Sequence, residues 1–453
     1  MGTTFIVGRA VSTTASLPFI EVQGHLAGVI GVEFTGSGGD LHLAAGGSVY
    51  GSSYGVDSKT SILVQNEGSI SGWRAMYVDG GLTLINAGNI RGSLDAVFVI
   101  GDATITNTGL ISAPGIAVFV DGVASITNLG VIAGGVSTQD QADVLVNRGT
   151  ITGNVQLGLG NDLMDAVGGR VGGTIYLDAG NDTLMGGDFA ERVDGGAGRD
   201  EIDGAGGNDI FVIRNGDGQD VIDGGTGIDL YDARALTAGV MVNLTVGEAR
   251  SAGQTDLLTG IERAFGGAGN DRMTGEAGDN LLRGGAGNDQ LTGLDGDDRL
   301  YGETGRDGLF GGNGNDRLDG GDLIDTLDGG AGNDRLQGSY DVDVMTGGAG
   351  SDRFVFEEFD EFVSILGPGL DRITDFAQGS DLMDVSALDA NLFLAGNEAF
   401  SFIGTGTITQ FGELNYRIVA NTTIVSIGFN VTTAYDVIRL DGVFTLTAAD
   451  FVL

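Results

Sequence analysis

The 453-residue chain has no cysteine, three prolines, two histidines, one tryptophan and a single lysine, Lys59. Each shortage excludes something. Without cysteine there is no disulfide, no thiolate metal site and no thiol nucleophile. So few prolines exclude collagen, although Gly numbers 85, because Gly-X-Y needs a strict period of three and abundant proline. No stretch of 18 apolar residues occurs, so no helical membrane span is expected. The cations number 22 against 62 acids, a net charge of −40. Such a surface repels nucleic acid and anionic lipid and attracts cations. The start, MGTTFIVGRAVSTTASLPF, lacks a charged region followed by an apolar one, so no cleavable signal peptide is expected. Apolar residues make up 41%, too many for a disordered chain.

Two repeats fill most of the length. The first is a phrase: NEGSISG (66–72), NAGNIRG (86–92), NTGLISA (107–113), NLGVIAG (128–134) and NRGTITG (147–153). Its asparagines lie 20, 21, 21 and 19 residues apart. Ile70, Ile90, Ile111, Ile132 and Ile151 follow each Asn by four; Val64, Leu84, Ile105, Ile126 and Leu145 precede it by two. Period-2 burial on both sides of a glycine turn, repeated every ~20 residues, predicts coils of a parallel β-helix. A coil alone cannot bury its apolar face, whereas stacked coils can. Equivalent asparagines would then stack ~4.8 Å apart and bond through their amides as a ladder. Tyr77, Phe98 and Phe119 form a second row at the same spacing, read as wall packing or, alternatively, as a sugar-binding platform.

The second repeat begins near residue 157. LGLGNDLMD (157–165) and LDAGNDTLM (177–185) are degenerate copies. GGAGRDEID (195–203), GAGGNDIFV (204–212), NGDGQDVID (215–223) and GGTGIDLYD (224–232) follow, and ten nonapeptides run without a gap from 266 to 355. The consensus is GGxGxDxUx, with U large and apolar. Glycine at positions 1, 2 and 4 permits a tight turn with positive φ. Position 8 points inward from a three-residue strand, and the position-6 Asp points into the turn. Two nonapeptides make one coil, so turns of repeats i and i+2 stack. Carboxylates and backbone carbonyls around a flexible turn suit Ca²⁺ rather than zinc or copper.

These nonapeptides resemble those of RTX proteins, the hemolysin-type family of secreted calcium-binding β-rolls. The resemblance implies a right-handed parallel β-roll that folds on calcium. It also implies export, unfolded, by a type I secretion machinery. It makes the position-6 residues ligands: Asp162, Asp182, Asp200, Asp209, Asp220 and Asp229, then Asp271, Asp289, Asp298, Asp307, Asp316, Asp325, Asp334, Asp343 and Asp352. Asn280 replaces Asp in one copy, so a weaker site is expected there. In GGDLIDTLD (320–328) and GSYDVDVMT (338–346) position 4 is Leu323 and Asp341, and distorted turns are expected. Residues 233–265 break the repeat and resemble the hairpin spacer common in the family.

From 356 glycine thins and aromatics rise: Phe356, Phe359, Phe362, Phe376, Phe393, Phe400, Phe402 and Phe411. LDRITDFAQGSDLMDVSALD (370–389) and the ending FTLTAADFVL resemble the C-terminal domain of serralysin-type proteins. In that family the terminal acid and apolar residues, here Asp450, Phe451, Val452 and Leu453, are an uncleaved secretion signal. They also suit a last strand capping the solenoid, whose open end would be an exposed strand edge. Asp371, Asp375 and Asp381 are candidates for one more calcium; GFNVTTAYDVIRL (428–440) is expected to hold none.

The expected architecture is all-β: a right-handed parallel β-helix continuing into a calcium-binding parallel β-roll, with a β-rich C-terminal cap. The expected domains are 1–156, 157–355 and 356–453. Neither a zinc-protease HExxH nor a lipase serine elbow with a histidine partner is read, and His25 and His42 are assigned to surface or turns. Arg74, Asp79, Arg91, Asp95, Asp102, Asp121 and Arg148 are available for glycan chemistry but scattered, so no catalytic site is expected. The functional expectation is a bacterial, secreted, calcium-stabilised structural protein of the cell surface or matrix. Self-association is expected, with residues 1–40 pairing onto a neighbour or simply forming the first coils. The alternatives are an adhesin that binds cell-surface polysaccharide and a polysaccharide lyase or epimerase.

Overall fold

The computed structural model describes residues 3–5, 11–13, 19–36, 38–357, 370–388, 399–410, 412–428 and 434–453. Most of the first 18 residues, Phe359, Phe362, Phe393, Phe411 and residues 429–433 lie outside them. The chain is a parallel β-solenoid divided into two compact units: 1–230 with 255–261, and 231–254 with 262–453. Among the described residues, no helix is long and apolar enough to cross a membrane.

In the 20-residue coils of the first unit, each coil contributes one short strand and one long, bent strand. The short strands, among them Ile62–Asn66, Leu82–Asn86, Ala103–Asn107 and Ala124–Asn128, stack in register. Val64, Leu84, Ile105, Ile126 and Leu145 form one inward row, which runs on through Met164, Leu184, Ile202 and Ile222 of the first nonapeptides. Twenty-residue coils and nonapeptides are thus built on one sheet and one row of apolar side chains. The predicted asparagine ladder is present: each Nδ2 donates to the Oδ1 of the next Asn, from Asn66 through Asn86, Asn107 and Asn128 to Asn147, at 2.7–2.8 Å. All five are buried.

The long strands, such as Ser48–Ser58, Ser69–Asp79 and Asn89–Ile100, bend halfway, where their register slips. The bend demands glycine. A Cβ on Gly51 or Gly92 would lie far under 3.0 Å from the carbonyl oxygen of Tyr54 or Asp95. Residues 51–55, GSSYG, do satisfy the bare G-x-S-x-G spacing, contrary to the sequence reading. They lie inside a strand at this bend rather than on a strand-to-helix elbow, so Ser53 lacks the setting of a nucleophile.

In the second unit two parallel sheets face each other through one inward side chain per strand. Met273, Leu291, Leu309, Leu327, Met345 and Ile373 form one row. Ala264, Leu282, Leu300, Leu318, Leu336, Phe354 and Met383 form the other. All are fully buried, as position 8 predicted. The spacer is shorter than expected. Only Val240–Asn243 and Glu248–Ser251 make the antiparallel hairpin, and Gln254–Thr259 already pairs in parallel with Val221–Asp223. Phe451 pairs in parallel with Met383, adding one more strand to that sheet.

Candidate metal centres

Each position-6 Asp sits one residue before a short strand. That placement turns its carboxylate back along the turn and stacks it on the equivalent residue of the adjacent coil. The result is four rows. In the second unit the N–H of each member donates to Oδ1 of the next, from Val240 to Asp271, then Asp289, Asp307, Asp325, Asp343 and Asp371, at 2.7–2.9 Å. The opposite row runs from Asn280 to Asp298, Asp316, Asp334, Asp352 and Asp381 at 2.7–3.1 Å. In the first unit one row runs from Ala124 through Asp143, Asp162, Asp182, Asp200 and Asp220 to Asp256. The other joins Glu191, Asp209 and Asp229.

Position 5 supplies a second ladder of opposite sense. Oδ1 of Asn270, Asn288, Asn315 and Asn333 accepts the N–H of the position-5 residue one coil later, at 2.9 Å. Adjacent turns are therefore held in both directions, which accounts for the recurrent Asn-Asp pair.

The carboxylates have one oxygen too many for this scheme. Oδ2 of Asp162, Asp182, Asp200, Asp289, Asp298, Asp307, Asp316, Asp325, Asp334, Asp343 and Asp352 is buried without a hydrogen-bond partner. In a repeat such as 311–319, Oδ2 of Asp316 and the carbonyl oxygen of Gly329 in the next coil converge on the Cα of Gly311; both lie under 3.0 Å from where a Cβ would stand. The same pair of oxygens converges at Gly293, Gly302, Gly320 and Gly329. This corrects the sequence account of position 1. These five glycines are outside the positive-φ set, whereas position 2 (Gly312, φ 118) and position 4 (Gly314, φ 133) are in it. Position 1 is glycine to leave room for the carboxylate.

Burial is the largest effect on these acids and raises their pKa. Asp289, Asp298, Asp334 and Asp343 rise to about 7, Asp307 to about 6 and Asp325 to about 9. The N–H from the previous coil opposes the rise, and for Asp289, Asp298, Asp325 and Asp334 neighbouring carboxylates add to it. An isolated buried anion is costly. A buried carboxylate oxygen with no donor, facing a carbonyl oxygen, is a hard-oxygen environment that a divalent cation satisfies. Among the described residues no three acidic or histidine side chains converge, so a cation here would draw on backbone carbonyls as well. The residues fit calcium on these grounds.

The exceptions are informative. Asn280 is satisfied: Oδ1 accepts from Glu276 at 2.7 Å and Nδ2 donates to the carbonyl of Glu262. Asp271 gives its second oxygen to the N–H of Gly267 at 2.9 Å. Asp381 gives its own to Ala377, and Asp375 accepts from Gly347 and Gly348. Asp371 and Asp381 end different rows, so the structure does not bring Asp371, Asp375 and Asp381 together. Leu323 and Asp341 keep the left-handed turn, at φ 74 and 73, where Gly287, Gly296, Gly305, Gly314, Gly332 and Gly350 adopt 121–153.

Three row members escaped the sequence reading. Glu191 is position 6 of a copy, GGDFAERVD (186–194), masked by Glu in place of Asp. Asp256 completes a copy interrupted by the hairpin. Asp143 lies before the strand Val144–Asn147, one coil ahead of the first nonapeptide. Each stands two residues before a buried apolar strand residue, Val193, Leu258 or Leu145, the one signal available for all three.

Elsewhere Arg74 pairs with Asp95 at 2.8 Å and Arg148 with Asp165, which places two of the three scattered arginines in ion pairs. The Tyr77, Phe98 and Phe119 rings stack face to face, with centroids 5.7 and 4.5 Å apart. The Arg74 guanidinium lies 3.9 Å from the Phe98 centroid. The Lys59 ammonium lies over the Tyr77 ring at 4.4 Å, so the row packs on itself and against two cations.

The family model of the RTX calcium-binding nonapeptide repeat matches residues 185–212, 213–231, 258–291, 283–318, 292–327 and 319–354. No curated protein sequence matches the chain. Among solved structures, one subunit of the mannuronan C5-epimerase of Azotobacter vinelandii is 27% identical, covering 40% of this chain and 77% of that one, with a TM-score of 0.20. A second subunit of that epimerase is 25% identical over 39% and 89%, TM-score 0.18. The extracellular lipase of Serratia marcescens is 19% identical over 60% and 40%, TM-score 0.17.

Proposed function

The nonapeptides of this chain are RTX calcium-binding repeats, and from that premise we propose a secreted, calcium-folded structural protein of the bacterial cell surface or matrix. The observation that carries the proposal is the set of rows of buried carboxylate oxygens without donors. At low calcium these acids oppose the fold; at extracellular calcium they close it. Such modules commonly bind at ~10⁻⁴ to 10⁻³ M, and binding free energy becomes folding free energy. A chain that stays open until it meets external calcium suits export by a type I machinery. In this reading the terminal residues Asp450 to Leu453 serve first as the export signal and then as the cap, the position-6 carboxylates are the ligands, and the chain is not an enzyme.

Self-association is part of the proposal. The bends of the long strands carry exposed apolar side chains: Trp73 (47% exposed), Leu94 (39%) and Ile116 (40%) on three successive coils, with Val29 (67%) two coils before Trp73. A row of this kind on a protein of net charge −40 is a contact surface rather than ordinary exposure. Sedimentation velocity of the full chain in about 5 mM calcium, above the expected ~10⁻³ M affinity, tests it. Large species that disappear in Trp73→Ser/Leu94→Ser support the reading. A monomer in calcium at every concentration removes self-association and leaves calcium folding standing.

A further inference from the structure

A trough of about 990 Å³ runs along one corner of the first unit, across the turns between residues 38 and 125. It belongs to the 20-residue coils and is separate from the carboxylate rows. Its lining includes Gly80 and Gly81, which carry no side chain. Gly80 stands at φ 151, and a Cβ there would lie under 3.0 Å from the backbone of Thr60 and Ser61. Along it, the coils present carboxylates and hydroxyls to one face. Asp40, Asp79 and Asp102 supply carboxylates, and Thr83 and Thr104 supply hydroxyls stacked on adjacent strands. Lys59, the sole lysine, is the one ammonium. It is held in place by Asp57, 5% exposed and 3.5 Å away, and by the face of Tyr77 at 4.4 Å.

The arrangement points away from three ligands. A cation is not favoured, since Asp40, Asp79 and Asp102 are exposed and spread along the trough, unlike the buried carboxylate oxygens of the nonapeptide rows. A polyanion would meet three carboxylates for one ammonium on a strongly negative protein. A peptide adding as a strand needs an unpaired sheet edge. This trough instead crosses strands whose backbone groups are already paired with both neighbouring coils.

We propose that the trough binds an uncharged polysaccharide strand, laid along the coil axis. Carboxylates accept bonds from sugar hydroxyls, while threonine hydroxyls and the fixed ammonium donate to ring and hydroxyl oxygens. The coil rise of ~4.8 Å is close to the length of one pyranose in an extended chain, so successive sugars meet successive turns. The proposal is independent of calcium binding, because no nonapeptide contributes to the trough.

Affinity electrophoresis of the full chain in calcium tests it, with soluble β-glucan, galactomannan and xylan as uncharged probes and polygalacturonate as the polyanion. Retardation by at least one uncharged probe is expected. Asp79→Asn/Asp102→Asn is expected to weaken it at least tenfold. Thr104→Tyr, from an exposed position, is expected to abolish it by filling the trough. Unchanged circular dichroism and melting establish that the variants fold; a variant that does not is replaced by Lys59→Gln, for which the same weakening is expected. Binding of none of the uncharged probes, tighter binding of polygalacturonate, or full retardation in the folded variants overturns the proposal.

Discussion

Oδ1 of Asp298 accepts the backbone N–H of Asn280 at 2.7 Å, while Oδ2 of the same carboxylate is buried with no donor. One oxygen locks the coils, and in the function proposed above the other is a calcium ligand. Asn280 shows the alternative, a side chain whose amide is satisfied by the protein itself. Asp298→Asn therefore removes the charge and keeps an acceptor. Its calcium midpoint is expected to rise roughly tenfold, about 1.4 kcal/mol, with the calcium-free state no less stable. The reverse change, Asn280→Asp, is expected to weaken the calcium-free state and steepen the calcium titration. Isothermal titration and melting with and without calcium measure both.

Position 1 of the nonapeptide provides a second test. Gly311 does not need positive φ, yet a Cβ on it would strike Oδ2 of Asp316. Gly311→Ala is expected to destabilise the calcium-bound array by about 1–3 kcal/mol, as overpacking does. Gly115, with open space around it, is the control, and Gly115→Ala should stay within about 0.5 kcal/mol. Chemical denaturation in calcium compares them.

The raised pKa values fix the sign of the pH dependence. The folded-state pKa of Asp289, Asp298, Asp334 and Asp343 is about 7, above the ordinary 3.8. Without calcium the fold therefore takes up protons. The stability from that uptake is fully present below pH ~4 and lost as pH rises through about 7. In chelator the array is expected to be more folded at pH 5 than at pH 8. In calcium, protons compete with the metal, so apparent affinity should fall as pH drops below about 7. Circular dichroism at both pH values, with and without calcium, reads both effects.

The asparagine ladder carries a prediction for the first unit. Asn107 accepts from Asn86 and donates to Asn128, all three buried. Asn107→Ala leaves a donor and an acceptor without partners, each costing about 1–3 kcal/mol. A loss of roughly 2–5 kcal/mol is expected, the same in calcium and in chelator, because no nonapeptide is touched. Urea denaturation in both conditions checks it.

Much of this was legible in the sequence because a solenoid writes its geometry as a period. The row from Val64 to Leu145 and the ladder from Asn66 to Asn147 follow from spacing alone. So does position 8, where Leu291 and Leu309 must face inward. Copies that kept the pattern but changed the letter were hidden, as with Glu191, or were split by an insertion, as with Asp256. The role of Gly311 was also hidden, since sequence shows that a side chain is absent but not what fills its space. The trough at Gly80 and Gly81 depends on how successive turns stack, which no single phrase reveals.

The central claim is that calcium completes the carboxylate rows and thereby folds the array. Circular dichroism of the full chain at pH 7.5, taken first in chelator and then across a calcium titration to about 10 mM, tests it directly. The account predicts a cooperative gain of β signal with a midpoint near 10⁻⁴ to 10⁻³ M. A full β signal in chelator, unchanged by calcium, would contradict it.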